Sequence, residues 1–526
     1  MKRGTLRVVL AGLVILSLLA ACNKAKPADG AGAPAEITVE VFDRGTDGGR
    51  SDPTNNNWTK WIQEKLLKDE NIKVTFVAVP RGSETTTLNN MMAAGDAPNI
   101  CLTYDGGLIA QYRDLGGIFD MSPYIEPLMP DLKKFLGPDL ALPGNDFIYR
   151  NQDRETGKVF AIPGRRTNLA QRGTFIRGDW LEKLGLKPPA TTQEFYDVLL
   201  AFKTQDPGGV GASRVVPFTM GSGVWFDAAN LIESFIDVSL SDKDHWINNV
   251  ANREFLQPGY KEGVRFMNKM YNAGLIDRDF PLNKADEQYT LLKSGAAGSF
   301  QQNWDQPYRD SPGILRDLQT NVPGATLIPI DPFTNSRGVT YKNMHDAAGV
   351  NYFIPTAAKN PEAALRYLNW LARFENYNFL QIGEEGVTHD LGSDDIPKIK
   401  PGAGLWIQNS PQNIDYTPII NGLDLGDPEK TAKGLATSYT VDAQLIIDAN
   451  ALSLKNGKPM PIVPATLSVA GPYTQTLQDK GTVLLTEAIT CAPAQFDRVW
   501  DAGIADWLAS GGTAIRDERT AKYIAP

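Results

Sequence analysis

The amino-acid sequence predicts an α/β protein with parallel β-sheets, divided into more than one lobe. Apolar residues form strand-like patterns at 37–41, 72–79 and 99–104, and helical patterns begin at Trp58 and cover 84–94 between them. This β-α-β-α-β order indicates a parallel sheet with right-handed crossovers. The chain has 526 residues, which exceeds the size at which a single hydrophobic core keeps growing.

Three loops at one edge of this sheet are candidate walls of a ligand site. In open parallel sheets, ligands bind beyond the carboxyl ends of the strands. The loops at 43–57, 79–84 and 105–107 follow the three predicted strands in that position. We therefore expect these loops to face a ligand.

Three later helices have clear sequence signals. Residues 191–194 form a capping box, which satisfies free backbone N–H groups at a helix start. At 360–361 an asparagine N-cap is followed by proline at the first helical position. The last predicted helix covers 496–508 and ends before the glycine pair at 511–512.

The N-terminal residues predict a lipoprotein signal peptide. Three basic side chains precede an apolar run at 8–20, and Leu19-Ala20-Ala21-Cys22 gives small residues before a cysteine. We expect residues 1–21 to be removed, Cys22 to carry a diacylglycerol and an acyl group, and 22–35 to be a flexible tether. An ordinary secretory signal is the alternative. The anchor would hold the protein outside the cytoplasm, on the cytoplasmic membrane or, in a two-membrane envelope, in the periplasm or on the outer membrane.

Composition and charge exclude some classes of protein. The chain has 61 acidic and 52 basic residues and a net charge of −9, which argues against nucleic-acid binding. No second apolar run of about 18 residues follows the signal, so we expect a soluble body. Cys101 and Cys491 are expected to be buried apolar residues, with a disulfide as the alternative.

Five segments, in order along the chain, resemble those of extracellular solute-binding proteins. They are MMAAGDAPNI at 91–100, GKVFAIP at 157–163, IRGDWLEKLGL at 176–186, LLKSGAA at 291–297 and GVNYFIP at 349–355. One departure is Phe160, which stands where tyrosine is common in that family. The order of the segments is most similar to the large lipoprotein branch of the carbohydrate-type binding proteins that serve ABC importers.

The resemblance implies a two-lobed periplasmic-binding-protein-like fold. In this fold each lobe is a sheet flanked by helices, and the ligand lies in the cleft between the lobes. By analogy, 36–165 and 345–380 form lobe one, and 166–344 and 381–526 form lobe two. The implied partners are a small carbohydrate ligand and ABC permease subunits, and we expect a monomer without a cofactor.

Saccharides stack their C–H faces on aromatic rings, so aromatic residues in polar, loop-like contexts are candidate platforms. For Trp58, Trp225 and Trp406 the alternative is packing in a core. Trp304 resembles the aromatic position of sugar-binding relatives, and Tyr473 resembles a later platform. Trp180, Trp370 and Trp500 lie on apolar helix faces and are predicted to be core residues.

Polar candidates lie beside these rings and at the lobe boundary. Asp305 and Tyr308 flank Trp304, and Asp105 follows the third predicted strand. Arg165 and its neighbour 166 follow a Pro-Gly turn where the chain is expected to cross between lobes. An arginine there could bind the carboxylate of a uronic acid. The alternative is an ion pair between the lobes.

Motifs for catalysis are missing from the sequence. The three histidines have no metal-binding spacing, and there is no Gly-x-Ser-x-Gly elbow and no phosphate-binding loop. We therefore predict no metal site, no enzyme activity, and a tethered receptor that closes on an oligosaccharide and delivers it to a permease. The alternatives are a surface glycan-degrading enzyme and a receptor for a non-sugar solute such as a peptide.

Overall fold

The computed structural model describes most of the chain after the predicted tether. The described residues are 32–44, 52–310, 312–331, 333–334, 338, 341–399, 416–417, 419–463, 465 and 467–523. Cys22, the predicted signal and Trp406 lie outside them. Among the residues described, no helix is both long and apolar enough to cross a membrane.

The strands of the described residues, in chain order, are β1 (Ala35–Asp43), β2 (Ile72–Pro80), β3 (Cys101–Thr103), β4 (Ile162–Arg166), β5 (Arg172–Arg177), β6 (Val216–Thr219), β7 (Ala297–Asn303), β8 (Leu327–Ile330), β9 (Lys342–Asn343), β10 (Ala348–Phe353), β11 (His389–Leu391), β12 (Pro397–Ile399), β13 (Ile420–Asn421) and β14 (Gly457–Lys458).

The helices, likewise in chain order, are α1 (Asn57–Glu70), α2 (Glu84–Ala94), α3 (Gly106–Asp114), α4 (Ile125–Leu128), α5 (Pro130–Leu136), α6 (Gly178–Leu184), α7 (Thr192–Gln205), α8 (Val224–Asp227), α9 (Ala229–Glu233), α10 (Asp242–Asn248), α11 (Tyr260–Asn272), α12 (Ala285–Lys293), α13 (Ile314–Asn321), α14 (Pro361–Leu371), α15 (Phe374–Ile382), α16 (Pro428–Thr437), α17 (Ala443–Leu454), α18 (Thr474–Thr490), α19 (Phe496–Trp507) and α20 (Thr513–Lys522).

The first sheet consists of a two-stranded part, β2-β1, and a four-stranded part, β3-β10-β4-β13. β1 and β2 are parallel over their full length, and a parallel bridge between Val39 and Ile100 joins β1 to the start of β3. β10 is antiparallel to both β3 and β4, and β13 is parallel to β4. The predicted parallel arrangement of the first three strands is confirmed.

The second sheet has the strand order β6-β7-β5-β8. β5 is antiparallel to β7 and β8, whereas β6 is parallel to β7. Successive side chains of a strand point to opposite faces, so Phe175 and Ile176 enter different cores. Both faces of this sheet are therefore buried, as expected for a sheet between helix layers.

The hydrophobic cores follow the two sheets. The first core draws its residues from 37–162 and 350–420, and the cores on the two faces of the second sheet draw theirs from 170–341 and from 382–515. Each sheet thus has its own core and its own helices, so the predicted two-lobed α/β fold is confirmed.

The sequence signals of the later helices are mostly correct. The capping box at 191–194 begins α7, whose predicted apolar face is buried, and α14 begins at Pro361. The end predicted for the last helix is confirmed: α19 ends at Trp507, and a non-helical kink at Gly511 separates it from α20. Gly511 absorbs the kink because its φ of 125° is one that glycine alone adopts readily.

The remaining sequence predictions about the core are confirmed, except that Cys491 is less buried than predicted. Trp180, Trp370 and Trp500 are buried. Cys101 is a buried free thiol and Cys491 is a half-buried one, so the disulfide alternative is not what the structure contains.

Candidate ligand-binding site

A cleft lies between the two sheets, and residues of both lobes line it. Its volume is about 740 Å³, within the range of sites for small organic ligands. A second cavity of about 520 Å³ shares Tyr104, Asp105 and Asn252 with the cleft, so the two form one continuous groove. The groove can therefore hold a ligand that extends beyond either cavity alone.

Residues of the first lobe reach the cleft from the carboxyl ends of its strands. Arg81 follows β2, and Tyr104 and Asp105 follow β3. Two of the three predicted loops, 79–84 and 105–107, therefore line the groove as expected for a parallel sheet. The third loop, 43–57, lies partly outside the described residues.

Trp225 is the exposed aromatic residue contributed by the second lobe. It lies in the short helix α8, and 37% of its surface is exposed. The guanidinium of Arg253 lies 4.2 Å from its ring centroid, a cation–π geometry. The neighbouring ring of Phe226 is covered in the same way by Arg172, at 4.8 Å.

Tyr104 is the corresponding aromatic residue of the first lobe. Its ring stacks on Phe42 with a centroid separation of 6.1 Å, and its hydroxyl accepts a hydrogen bond from Asn421 at 3.4 Å. Two guanidinium groups lie near its ring, those of Arg81 at 5.1 Å and Arg166 at 5.8 Å. Each cleft aromatic residue is thus accompanied by arginine.

Two of the cleft arginines have no carboxylate partner among the residues described. Arg253 is 8% exposed and donates from Nη1 to the carbonyl of Asn252 at 3.1 Å. Arg166 donates from Nη1 to the carbonyls of Asp346 and Ala348, each at 3.2 Å. Burial lowers the pKa of both side chains, that of Arg253 to about 10, so both remain charged at neutral pH.

Arg172 is only partly satisfied. It is 6% exposed and donates from Nη1 to the side-chain oxygen of Gln171 at 2.9 Å, while its buried Nε has no partner in the described structure. Its nearest carboxylate, Glu233, is 3.5 Å away. Burial raises the pKa of Glu233, an effect that Arg172 opposes, so this acid neutralises the arginine only incompletely.

The other acids of the cleft are engaged by the protein itself. Glu84 accepts from Arg81 at 2.5 Å, and Glu254 lies 3.1 Å from Nε2 of His245. Asp105 uses Oδ1 to cap α3, accepting from the N–H groups of Gly107 and Leu108. These contacts involve groups other than Arg166 and Arg253.

The structure places several other predicted site residues away from the cleft. Trp58 is 1% exposed and packs edge-on against Phe379 in the first core, because it lies on the buried face of α1. Tyr308 is buried and donates to the carbonyl of Leu327 at 3.1 Å. In both cases the side chain fills a core and offers no surface to a ligand in this conformation.

Trp304 and Asp305 line a smaller cavity of about 160 Å³ at the lobe boundary. Trp304 is 8% exposed, and Asp305 accepts from the hydroxyl of Tyr439 at 2.6 Å and from Arg309 at 2.7 Å. This cavity shares Arg166 with the main cleft. The pair therefore borders the site without lying in its main volume.

Tyr473 and Arg165 have structural contacts in this conformation. The ring of Tyr473 is 37% exposed and lies against Gly511. Arg165 donates from Nη1 to the carbonyl of Leu136 at 2.9 Å, at the end of α5. Because strand residues alternate in direction, it is the neighbouring Arg166 that faces the cleft.

Sequence reasoning missed Arg172, Arg253 and Arg81. Arg172 carries a signal, because it begins a strand whose residues are all buried, where a charge calls for explanation. Arg253 lies in an irregular segment before α11 and has no local signal. Metal-binding groups of three or more histidine, cysteine or acidic side chains do not occur in the part of the chain that the structure describes.

Residues 51–378 match the family described as bacterial extracellular solute-binding proteins. The chain belongs to this family. A solute-binding protein needs a concave site for its solute, and the groove between the lobes is such a site.

Several known solute-binding proteins are similar to this chain. The polygalacturonan/rhamnogalacturonan-binding protein YtcQ of Bacillus subtilis is 24% identical over 469 residues, which is 86% of each chain. The calcium-free crystal structure of alginate-binding protein AlgQ2 has a TM-score of 0.66 at 21% identity and covers 94% of this chain and 98% of its own. Streptococcus pneumoniae FusA in complex with kestose has a TM-score of 0.62 at 16% identity and covers 93% and 100%. These two structures support the fold.

Proposed function

We propose that this solute-binding protein captures an oligosaccharide in the cleft between its lobes and delivers it to the permease of an ABC importer. The observation that carries the proposal is the continuous groove, which both lobes line and which joins the exposed ring of Trp225 and the half-buried ring of Tyr104 to hydrogen-bonding side chains. The names of similar proteins support it, since they bind polygalacturonan, rhamnogalacturonan, alginate or a fructooligosaccharide.

Capture would proceed by closure of the lobes. Arg81 and Tyr104 belong to the first lobe, while Trp225 and Arg253 belong to the second. A ligand that touches both sets binds the closed state better than the open one, and this difference in affinity shifts the population toward closure. We propose that residues 36–165 and 345–380 form lobe one and that the remainder forms lobe two. Ile420 also packs in the first core, so lobe one includes that short segment as well.

The proposed location is outside the cytoplasm, held by lipid on Cys22. A tether over 22–35 would keep the receptor close to a membrane surface and raise its effective concentration at the importer. Labelling of cells with a radioactive fatty acid tests this: label on the wild-type protein and its loss in Cys22→Ala is expected. Equal label on both would contradict the anchor.

The binding function is tested with the purified full-length protein in detergent. Thermal shift with a panel of oligosaccharides, monosaccharides and peptides is expected to give stabilisation by one group of oligosaccharides, because a ligand of the folded state raises its apparent stability. The oligosaccharide should be recovered unchanged after incubation, since we propose no catalysis. Stabilisation by peptides alone, or turnover of the glycan, would contradict the proposal.

A further inference from the structure

Three cleft residues form what we call the arginine cluster: Arg166, Arg172 and Arg253. All three line the same cavity. Repulsion from Arg172 adds to burial in lowering the pKa of Arg253, and repulsion from Arg166 and Arg172 adds to burial in lowering the pKa of His345 to about 2. The protein therefore holds like charges near one another around a neutral histidine.

Such an arrangement is unfavourable in the absence of a ligand. A buried guanidinium loses its hydration, and two backbone carbonyls or one aromatic ring replace only part of it. Arg253 lines the cleft with one carbonyl and the ring of Trp225 as its partners. A ligand in the cleft would supply the counter-charge that the protein does not.

We propose that the oligosaccharide bound in this cleft carries carboxylates, as a chain of uronic acids does, and that Arg253 and Arg172 bind one of them. The inference rests on the proposed function and names its ligand class. A guanidinium presents N–H groups in a planar fork that matches the two oxygens of a carboxylate. A third arginine, Arg166, lies where an adjoining acidic sugar would extend toward Tyr104.

A neutral sugar would fit this cleft less well. A neutral ligand would leave the charge of Arg253 without a counter-charge after the lobes close. A ligand carboxylate removes that cost, so the cluster favours acidic saccharides over neutral ones of the same shape.

The test compares each acidic saccharide with its own methyl ester, which keeps the shape and removes the charge. Isothermal titration calorimetry uses the full-length protein with trigalacturonate, trimannuronate and triglucuronate, their methyl esters, and galactotriose, maltotriose and kestose. We expect one uronate to bind at least about tenfold more tightly than its ester, because a hydrogen bond between charged groups contributes more than a neutral one.

Substitutions of single arginines show which side chain binds the carboxylate. Arg253→Gln is expected to weaken binding of that uronate about tenfold and to leave binding of its ester nearly unchanged. Arg316→Gln is the matched control, because Arg316 is exposed, pairs with Asp317 and is not among the residues that line the cleft. The melting temperature of ligand-free Arg253→Gln should not fall, which separates a loss of binding from a loss of folding.

Each outcome bears on a different claim. If an ester or a neutral trisaccharide binds as tightly as the uronates, the acidic-ligand inference fails while the proposed function stands. If a sulfated neutral trisaccharide binds better than every uronate, the carboxylate assignment is wrong. If no saccharide binds and a peptide does, the proposed function itself fails.

Discussion

Arg150 and Arg253 are both buried arginines, but the chain surrounds them in opposite ways. Arg150 donates to both oxygens of Asp139 and, from Nη1, to both oxygens of Asp346 at 3.0 and 3.1 Å. These acids raise the pKa of Arg150 despite its burial. Arg253 has a carbonyl and an aromatic ring instead, and burial lowers its pKa to about 10.

The difference separates a structural charge from one held for a ligand. Where a charge serves only the fold, the chain provides its counter-charges, because an unpaired buried ion is strongly destabilising. Glu40 shows a third solution, in which burial raises the pKa to about 8 and the carboxyl group is neutral at physiological pH. An arginine cannot take that route, since it stays protonated even at a pKa of about 10.

The largest expected effect comes from removing one carboxylate partner of Arg150. Asp139→Ala leaves Asp346 as the remaining carboxylate for a buried guanidinium, so the free energy of unfolding should fall by about 4 kcal/mol. Urea unfolding followed by circular dichroism measures this. Asp317→Ala, which breaks an exposed pair with Arg316, should change stability by less than about 1 kcal/mol. Equal losses of unfolding free energy in the two variants would contradict a special role of the buried ion pair of Arg150.

The second effect concerns Glu40 and pH. Its pKa is raised from 4.5 to about 8 in the folded state, chiefly by burial. The stability that this proton contributes is complete below about pH 4.5 and is lost as the pH rises through about 8. The free energy of unfolding of Glu40→Gln relative to wild type should therefore improve by about 3 kcal/mol from pH 5 to pH 8. Urea titrations at both pH values decide it, and a constant difference would refute the buried neutral acid.

The third effect compares two tryptophans. Trp225→Ala should weaken oligosaccharide binding about tenfold or more, because it removes the exposed ring and the support for Arg253. Trp304→Ala is expected to weaken binding less and to destabilise the fold by about 3 kcal/mol, since Trp304 is 8% exposed. Calorimetry and thermal unfolding of both variants test this. A larger loss of affinity in Trp304→Ala would move the site toward the smaller cavity.

The smallest effect is the sharpest test of the contrast between the two arginines. Arg253→Met should leave the stability of the ligand-free protein unchanged or raise it by up to about 1 kcal/mol, since it removes a poorly compensated charge. Thermal unfolding without ligand measures this. A fall of about 3 kcal/mol or more would mean that Arg253 is structural in the way that Arg150 is.

The fold could be predicted from the sequence because strand alternation and helix caps are local signals. The alternation at 37–41 and the capping box at 191–194 specify their elements without knowledge of distant contacts. The end of α19 before the glycine pair is a local signal of the same kind, because Gly511 adopts a positive φ that interrupts a helix.

The candidate site was harder to predict because it is assembled from distant residues. Arg81 and Arg253 are 172 positions apart in the sequence, and only folding brings them to one cleft. Tryptophans are visible in a sequence, but whether a ring is a platform or a core residue depends on packing, as Trp58 and Trp225 show. The sequence predicts that Arg165 lines the site, but in the structure it is the neighbouring Arg166 that lines the cleft.

The most direct test of the account is the affinity ratio between a uronate trisaccharide and its methyl ester, measured by calorimetry for wild type and for Arg253→Gln. If the arginine cluster binds the ligand carboxylate, the ratio should be at least about tenfold in the wild type and should fall toward one in the variant. An identical ratio in both proteins would show that Arg253 does not read the carboxylate, and would contradict the account.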